Sequence, residues 1–378
     1  MNKTQNKYPE QYIRLQKVLK KRDLDAVLAI SFENVYWLSQ SLIHTQKSIP
    51  DRLAIVLSIR GEDPVFLVCS IEESLVRSDS WIKDIRCYEE FEQSPIQALA
   101  EIMHKKGLSK GKIGLEKHYL CASYYEELKS ILPKAEWINI SKDFEKLRMI
   151  KTEREIEILQ KAALNTEKAM IDTFLESKPG DAEKDVLNRI ILKTLNAGGM
   201  EANGSFGSGP KSAVAHPIAD NTPLEKGGIV SVDFGASFQG YYSDLGRTAV
   251  VEKSSDRQNK IYHDLYDVQR RCIDMIRPGV KVSDIFKAAY NGLNEAGLEL
   301  SLSHVGHGIG LIMHEEPMLS PFNDLTLQEN MVINIEPFYV TDEGYHSEDT
   351  MLVTTEGAKI FSNYYDHSSI IPITAKGK

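Results

Sequence analysis

The chain has 378 residues, 42% of them hydrophobic and 26% charged, which is enough for two domains and ordinary for a soluble globular protein. Its 45 Lys and Arg against 54 Asp and Glu leave a net charge of −9, with no basic footprint of the kind nucleic acid needs. No stretch approaches the ~20 apolar residues of a membrane-spanning helix, and the polar N-terminus MNKTQNKYPEQYIRLQKVLKK lacks the apolar run of a secretory leader. Cys69, Cys87, Cys121 and Cys272 are scattered without a C-x-x-C pair, as expected of reduced thiols in a cytoplasmic protein with no nucleic-acid or membrane partner.

The first 140 or so residues alternate helix-like and strand-like patterns. Tyr8 to Arg22 has apolar residues at helical spacing. Asp25-Ala-Val-Leu-Ala-Ile30 is a short buried-strand pattern, and Ala54-Ile-Val-Leu-Ser58 and Pro64-Val-Phe-Leu-Val68 are neighbouring strands joined by Arg60-Gly-Glu-Asp63. Lys112-Ile-Gly-Leu-Glu116 is a further strand, followed by a helix around Ser123 to Ile131. At Thr152 a capping box with Glu155 opens a long helix that places Ile156, Leu159, Ala163, Thr166 and Met170 on one face and ends at Pro179-Gly180. The domain boundary is expected just before this region, giving 1–141 and 142–378. From residue 228 onward strands are expected to dominate. Gly228 to Gly235 and Tyr241 to Val251 form one hairpin around Ser237-Phe-Gln-Gly240; Met331 to Val340 and Ser347 to Thr354 form another around Asp342-Glu-Gly344.

Each hairpin carries two acids in apolar surroundings, Asp233 with Asp244 and Glu336 with Glu348. An ionised carboxylate in a dry strand costs several kcal/mol unless it is paired or bound to metal. Singly, each could have an ordinary role: Asp233 could cap a turn at Gly235, Asp244 could pair with Arg247, and Glu348 could lie on the surface. Glu336 is harder to dismiss, because its neighbours are apolar and Pro337 offers no N–H. Two divalent cations would balance the four charges. His307, between Gly306 and Gly308, adds an imidazole that small neighbours leave accessible. Four carboxylates and one imidazole without thiolate suit Mn²⁺, Co²⁺, Zn²⁺ or Fe²⁺, with Mn²⁺ preferred. Two such ions roughly 3.5–4 Å apart can share a bridging hydroxide and polarise a carbonyl, which is amide-hydrolysis chemistry. A phosphate loop at Gly306-His-Gly-Ile-Gly310 is rejected, since no Lys-Ser/Thr follows and the segment enters a strand-like run.

These residues resemble the pita-bread metallopeptidase superfamily, in the branch of Xaa-Pro dipeptidases, aminopeptidase P and creatinase. The matching motifs are Val232-Asp-Phe-Gly235, Tyr242-Ser-Asp-Leu-Gly-Arg-Thr248, Gly306-His-Gly-Ile-Gly-Leu311 with His314-Glu-Glu-Pro317, Asn334-Ile-Glu-Pro337 and Ser347-Glu-Asp-Thr350. Leu147 to Ile156 resembles the opening of the catalytic domain, and Asn34-Val-Tyr-Trp-Leu38 an N-terminal signature. The resemblance implies an α+β chain, an N-terminal α/β creatinase-like domain followed by a pita-bread catalytic domain with pseudo-two-fold halves. It implies two divalent cations held by Asp233, Asp244, His307, Glu336 and Glu348. Asp233 would be a bidentate ligand of one ion, Asp244 and Glu348 bridges, and Glu336 also the proton acceptor from the water nucleophile. His216 would contact the scissile amide and handle a proton, and His314 would bind the substrate carbonyl. A homodimer is implied as well.

The departures bear on substrate. The superfamily's Xaa-Pro enzymes carry histidine four residues before the metal histidine, where this chain has Ser303, with His304 one place off. They carry Arg two residues before the last Glu, where this chain has His346, and imidazole does not replace guanidinium. Phe206 stands alone where an aromatic run is usual. Phe206, His304 and His346 are therefore the specificity candidates. The expected function is metal-dependent hydrolysis of short peptides, as an Xaa-Pro dipeptidase or aminopeptidase. The alternative is a metal-dependent C–N hydrolase or lyase acting on a small non-peptide metabolite.

Overall fold

Short apolar strands alternating with one-sided helices build the first part of the chain. The computed structural model describes residues 7–49, 51–300 and 303–374. Residues 1–6, which carry part of the leader-free reading of the N-terminus, lie outside the described residues. The first helix spans Glu10–Arg22, buries Tyr12, Leu15 and Leu19, and stops at Asp23 in the left-handed region. Strands β1 (Ala26–Ala29), β2 (Ile55–Ile59), β3 (Val65–Cys69), β4 (Asp84–Tyr88), β5 (Lys112–Leu115) and β6 (Glu136–Asn139) form one mixed sheet in the order β4-β3-β2-β1-β5-β6. The four expected strands are its interior, buried at nearly every position. The unexpected β4 and β6 are its edges, where half-exposed side chains leave no apolar run to detect.

Asn34 of the N-terminal motif lies on a helix, Phe32–Ser39, capped by Ser31. Its side-chain Nδ2 donates to the buried Glu116 carboxylate, which also accepts from the Ile30 and Ser31 backbone, and Arg148 donates to Asn34 Oδ1. The motif is thus a polar clasp within this unit.

Two compact units, Met1–Arg148 and Met149–Lys378, make up the chain, against the boundary expected between residues 141 and 142. The difference is the helix Ser141–Met149, whose Phe144 packs edge-on against Trp37 of the first unit.

The second unit repeats one pattern, a helix pair followed by antiparallel strands. Helix Glu153–Glu176 has the capping box: Thr152 N–H donates to Glu155 Oε2 at 2.7 Å and Glu155 N–H to Thr152 Oγ1 at 3.4 Å. It and helix Glu183–Asn196 precede β7 (Glu201–Ser208), β8 (Ile229–Phe238) and β9 (Tyr241–Val251). Helices Asp256–Asp274 and Val282–Glu295 then precede β10 (Val332–Ile335), β11 (Phe338–Val340), β12 (Gly344–His346), β13 (Asp349–Thr354) and β14 (Gly357–Ile360). β15 (Ile371–Ile373) returns to pair with β9, completing a four-stranded sheet β15-β9-β8-β7, while β10-β13-β14 forms a three-stranded one.

The expectation that strands dominate after residue 228 is corrected here by the two helices between β9 and β10. Ser255 and Gln258 form a second capping box, and the helices bury Tyr262, Leu265, Val268 and Cys272, then Val282, Ile285, Ala289 and Leu293, against Ile333, Ile335, Met351 and Val353. Among the described residues no helix is long and apolar enough to cross a membrane. All four cysteines are free.

Candidate metal centre

The β8–β9 hairpin turns through Gln239 and Gly240, both at positive φ (48° and 81°), which matches the twist of a two-residue hairpin. Its register sets Asp233 opposite Gly246 and Gly235 opposite Asp244. Residues two apart share a face, so the two carboxylates are diagonal neighbours on one side of the ladder.

The second acidic pair is positioned differently. Rather than running on as one hairpin, β10 pairs with β13 up to Ile335↔Asp349, and a separate pair, β11 with β12, starts at Phe338↔His346. Pro337 has no N–H to give a ladder, so the pairing breaks there. Glu336 and Glu348 sit in the break. Asn334 holds one of them: its Nδ2 donates to Glu348 Oε1 at 2.7 Å and to the Asp244 carbonyl at 3.1 Å.

His307 reaches this break because glycines flank it. A Cβ on Gly306 would lie 2.0 Å from the Asn334 carbonyl oxygen, and one on Gly308 2.3 Å from that of Glu316. The imidazole is fully buried, and Nδ1 pairs with the Gly308 carbonyl at 3.0 Å. That contact makes Nδ1 the donor and leaves the Nε2 lone pair pointing onward. Nε2 lies 3.5 Å from Glu336 Oε1, 3.8 Å from Asp244 Oδ2 and 3.8 Å from Glu348 Oε1, and has no hydrogen-bond partner.

Arg247 does not pair with Asp244. Its buried guanidinium binds Glu167 Oε1 at 2.7 Å and Asp349 Oδ1 at 3.0 Å, and donates to the backbone carbonyls of Gly246 and Glu348. It therefore locks the chain on either side of the acids without neutralising them. Burial, then the charges of neighbouring acids, push the Asp244 and Glu348 carboxyls well above the ordinary range. Burial likewise lowers the His307 imidazole to about 4, so it is neutral at pH 7.

Glu315, in the His-Glu-Glu-Pro motif, serves the scaffold. It accepts from the Leu311 and Ile312 amides and pairs with buried Lys151 at 2.9 Å.

The other sequence candidates divide. His314 stacks on His307 with ring centroids 3.9 Å apart, has Nε2 4.0 Å from Asp244 Oδ2, and is half exposed. His304 Nε2 lies 3.2 Å from Glu336 Oε1, while Ser303 is exposed. His346 is buried, with Nε2 3.9 Å from Glu348 Oε2. A cleft of about 600 Å³ opens beside Asp233 and Asp244, with His216 and His314 on its wall. Phe206 is not brought there. It is fully buried in β7, and strand alternation leaves its neighbour Ser205 to line the cleft. Lys184, Asn188 and Met313 also line the cleft. They stand outside every motif, so nothing in the sequence marked them.

Three overlapping groups can each present three ligand atoms within 4.8 Å of one another: His307 with Glu336 and Glu348; Asp233 with His346 and Glu348; and Asp244 with His307 and His314. Two ligands of one cation lie no farther apart than the sum of their bonds, ~4.2 Å for nitrogen and oxygen donors. The His307 distances satisfy that limit but are too long for hydrogen bonds. A neutral imidazole with an unpartnered nitrogen, facing buried and mutually repelling carboxylates, is a donor set that fits divalent cations.

Comparison with known proteins agrees. The model of metallopeptidase family M24 matches residues 157–355, and that of the creatinase/prolidase N-terminal domain residues 13–150. An Xaa-Pro dipeptidase of Pyrococcus horikoshii is 30% identical over 357 residues, 93% of this chain and 96% of the relative. A solved Xaa-Pro dipeptidase from Bacillus anthracis superposes with a TM-score of 0.86 at 26% identity, covering 96% of this chain and 99% of that one. The prolidase from Pyrococcus horikoshii superposes at 0.83 with 28% identity, over 94% and 99%. The chain belongs to metallopeptidase family M24, with a creatinase/prolidase N-terminal domain before the catalytic domain, and is a metal-dependent exopeptidase.

Proposed function

We propose that the protein is an Xaa-Pro dipeptidase or aminopeptidase with a dinuclear centre, held by Asp233, Asp244, His307, Glu336 and Glu348. What most supports two ions is that Glu348 belongs to two of the three-ligand groups, one around His307 and Glu336 and one around Asp233. The proline preference rests on the named activities of the similar proteins. Divalent ions bound there supply Lewis-acid polarisation and a more acidic water.

The protein's own groups do the rest. Glu336 accepts the proton of the attacking water, and His304, 3.2 Å away, orients that carboxylate. His314 donates to the substrate carbonyl oxygen as negative charge develops there. His216, on the cleft wall, contacts the scissile amide and handles the proton that the leaving nitrogen needs. Mn²⁺ is the proposed metal, and a cytoplasmic homodimer the proposed state. The non-peptide alternative is not favoured by the similar proteins.

A panel of Xaa-Pro and non-proline dipeptides and short peptides, run with defined Mn²⁺ or Co²⁺, tests the reading. Turnover of some Xaa-Pro substrate is expected, and loss of it in Glu336→Ala. No turnover of any short peptide at full metal occupancy overturns it. Sedimentation at the monomer mass alone overturns the dimer.

A further inference from the structure

His346 stands apart from the five proposed ligands, yet it is built into the same cluster. Its backbone is pinned to β9, with N–H donating to Thr248 Oγ1 at 2.8 Å and the carbonyl accepting from that hydroxyl at 2.8 Å. The Phe338 ring meets the imidazole edge-on at 5.4 Å. On the other side lies Gly246, where a Cβ would sit 2.4 Å from the imidazole Nδ1 and Cε1. Gly246 is the register partner of Asp233, so the missing side chain opens a slot beside that carboxylate. The ring filling the slot is 5% exposed, and its Nε2 has no hydrogen-bond partner. Nε2 is 3.9 Å from Glu348 Oε2, too far to hydrogen-bond and within the ~4.2 Å span of two bonds to one cation. Asp233, His346 and Glu348 together present three ligand atoms within 4.8 Å.

We propose that His346 is a direct imidazole ligand of the cation held by Asp233 and Glu348, so that each of the two ions has one nitrogen donor. The inference rests on the dinuclear reading above. It has a consequence for metal choice. An all-carboxylate subsite suits Mg²⁺ or Mn²⁺, and an added imidazole lets Zn²⁺ or Co²⁺ compete better with the proposed Mn²⁺ at this one subsite. It also removes His346 from any role in directly contacting substrate.

Apo-protein titrated with Co²⁺ tests this by counting ligated imidazoles. The downfield, solvent-exchangeable N–H resonances of cobalt-bound histidine are read by proton NMR, with stoichiometry by calorimetry. Wild type should bind two equivalents and show two such resonances, one arriving with each equivalent. His346→Gln should lose one resonance and bind one equivalent at least ~10-fold more weakly, since loss of even an outer-shell partner costs that much. The other equivalent should be unchanged. Two equivalents with a single histidine resonance in wild type overturn the proposal while leaving the dinuclear reading intact. Failure to bind two equivalents at all overturns that reading itself. The wild-type count needs no variant, so an unstable His346→Gln does not protect the idea.

Discussion

The two acidic pairs of the centre are held by opposite devices. Asp233 and Asp244 ride an unbroken ladder, where a tight turn and strict alternation put both on one face. Glu336 and Glu348 occupy a gap between two ladders, created where Pro337 ends the pairing and held open by Asn334 and the Arg247 guanidinium. A continuous ladder positions a side chain by pleat alone. A broken one needs side chains to satisfy freed backbone groups, but it lets carboxylates turn toward a common point. The centre uses a rigid wall on one side and an adjustable one on the other.

That contrast can be broken from either side. The largest effect is expected at Glu336, the proposed proton acceptor in the gap: Glu336→Ala should lower kcat by about 10²–10⁴-fold with the fold retained, seen in steady-state kinetics beside a circular dichroism melt. Next is the device holding the gap. Arg247→Met leaves Glu167 and Asp349 buried without their cation, and should cost about 3–5 kcal/mol in urea unfolding. Asn334→Ala frees the Glu348 carboxylate and should weaken metal binding about 10–100-fold, measured by calorimetry, while the buried acceptors it leaves cost about 1–3 kcal/mol of apo stability. Removing metal from wild type should lower Tm, because the carboxylates again repel, while Glu336→Ala should show a smaller drop. The smallest effect lies away from both walls: Thr152→Ala removes a helix cap at a cost of about 1 kcal/mol, with metal affinity unchanged. If Arg247→Met and Thr152→Ala cost the same, the gap is not specially held and the contrast fails.

The candidate centre was legible in the sequence because metal chemistry restricts residue types. Carboxylates in apolar runs and a histidine between glycines are costly to bury unless something binds them, and all five converge in space. The interior strands of the first unit and the capping box at Thr152 were legible for a related reason, since burial and capping leave short-range patterns. The edge strands β4 and β6 were not, as their exposure erases the pattern. The two helices after β9 show that an amphipathic segment between strong strands is easily passed over, even with Ser255 and Gln258 at its start.

Phe206 and Arg247 mark the limit most clearly. Whether an aromatic side chain lines a cleft or fills a core depends on which face of its strand meets which layer, and the pleat turned Phe206 inward. Which carboxylate an arginine neutralises depends on what folding brings near it, and Arg247 chose Glu167 and Asp349 over Asp244 three residues away. The chemical inventory of the centre is a property of the sequence, because ligand hardness and charge are local. The convergence of the two acidic pairs, the slot at Gly246 and the pairing of Arg247 were decided only by tertiary structure, because each depends on residues that meet across long stretches of chain.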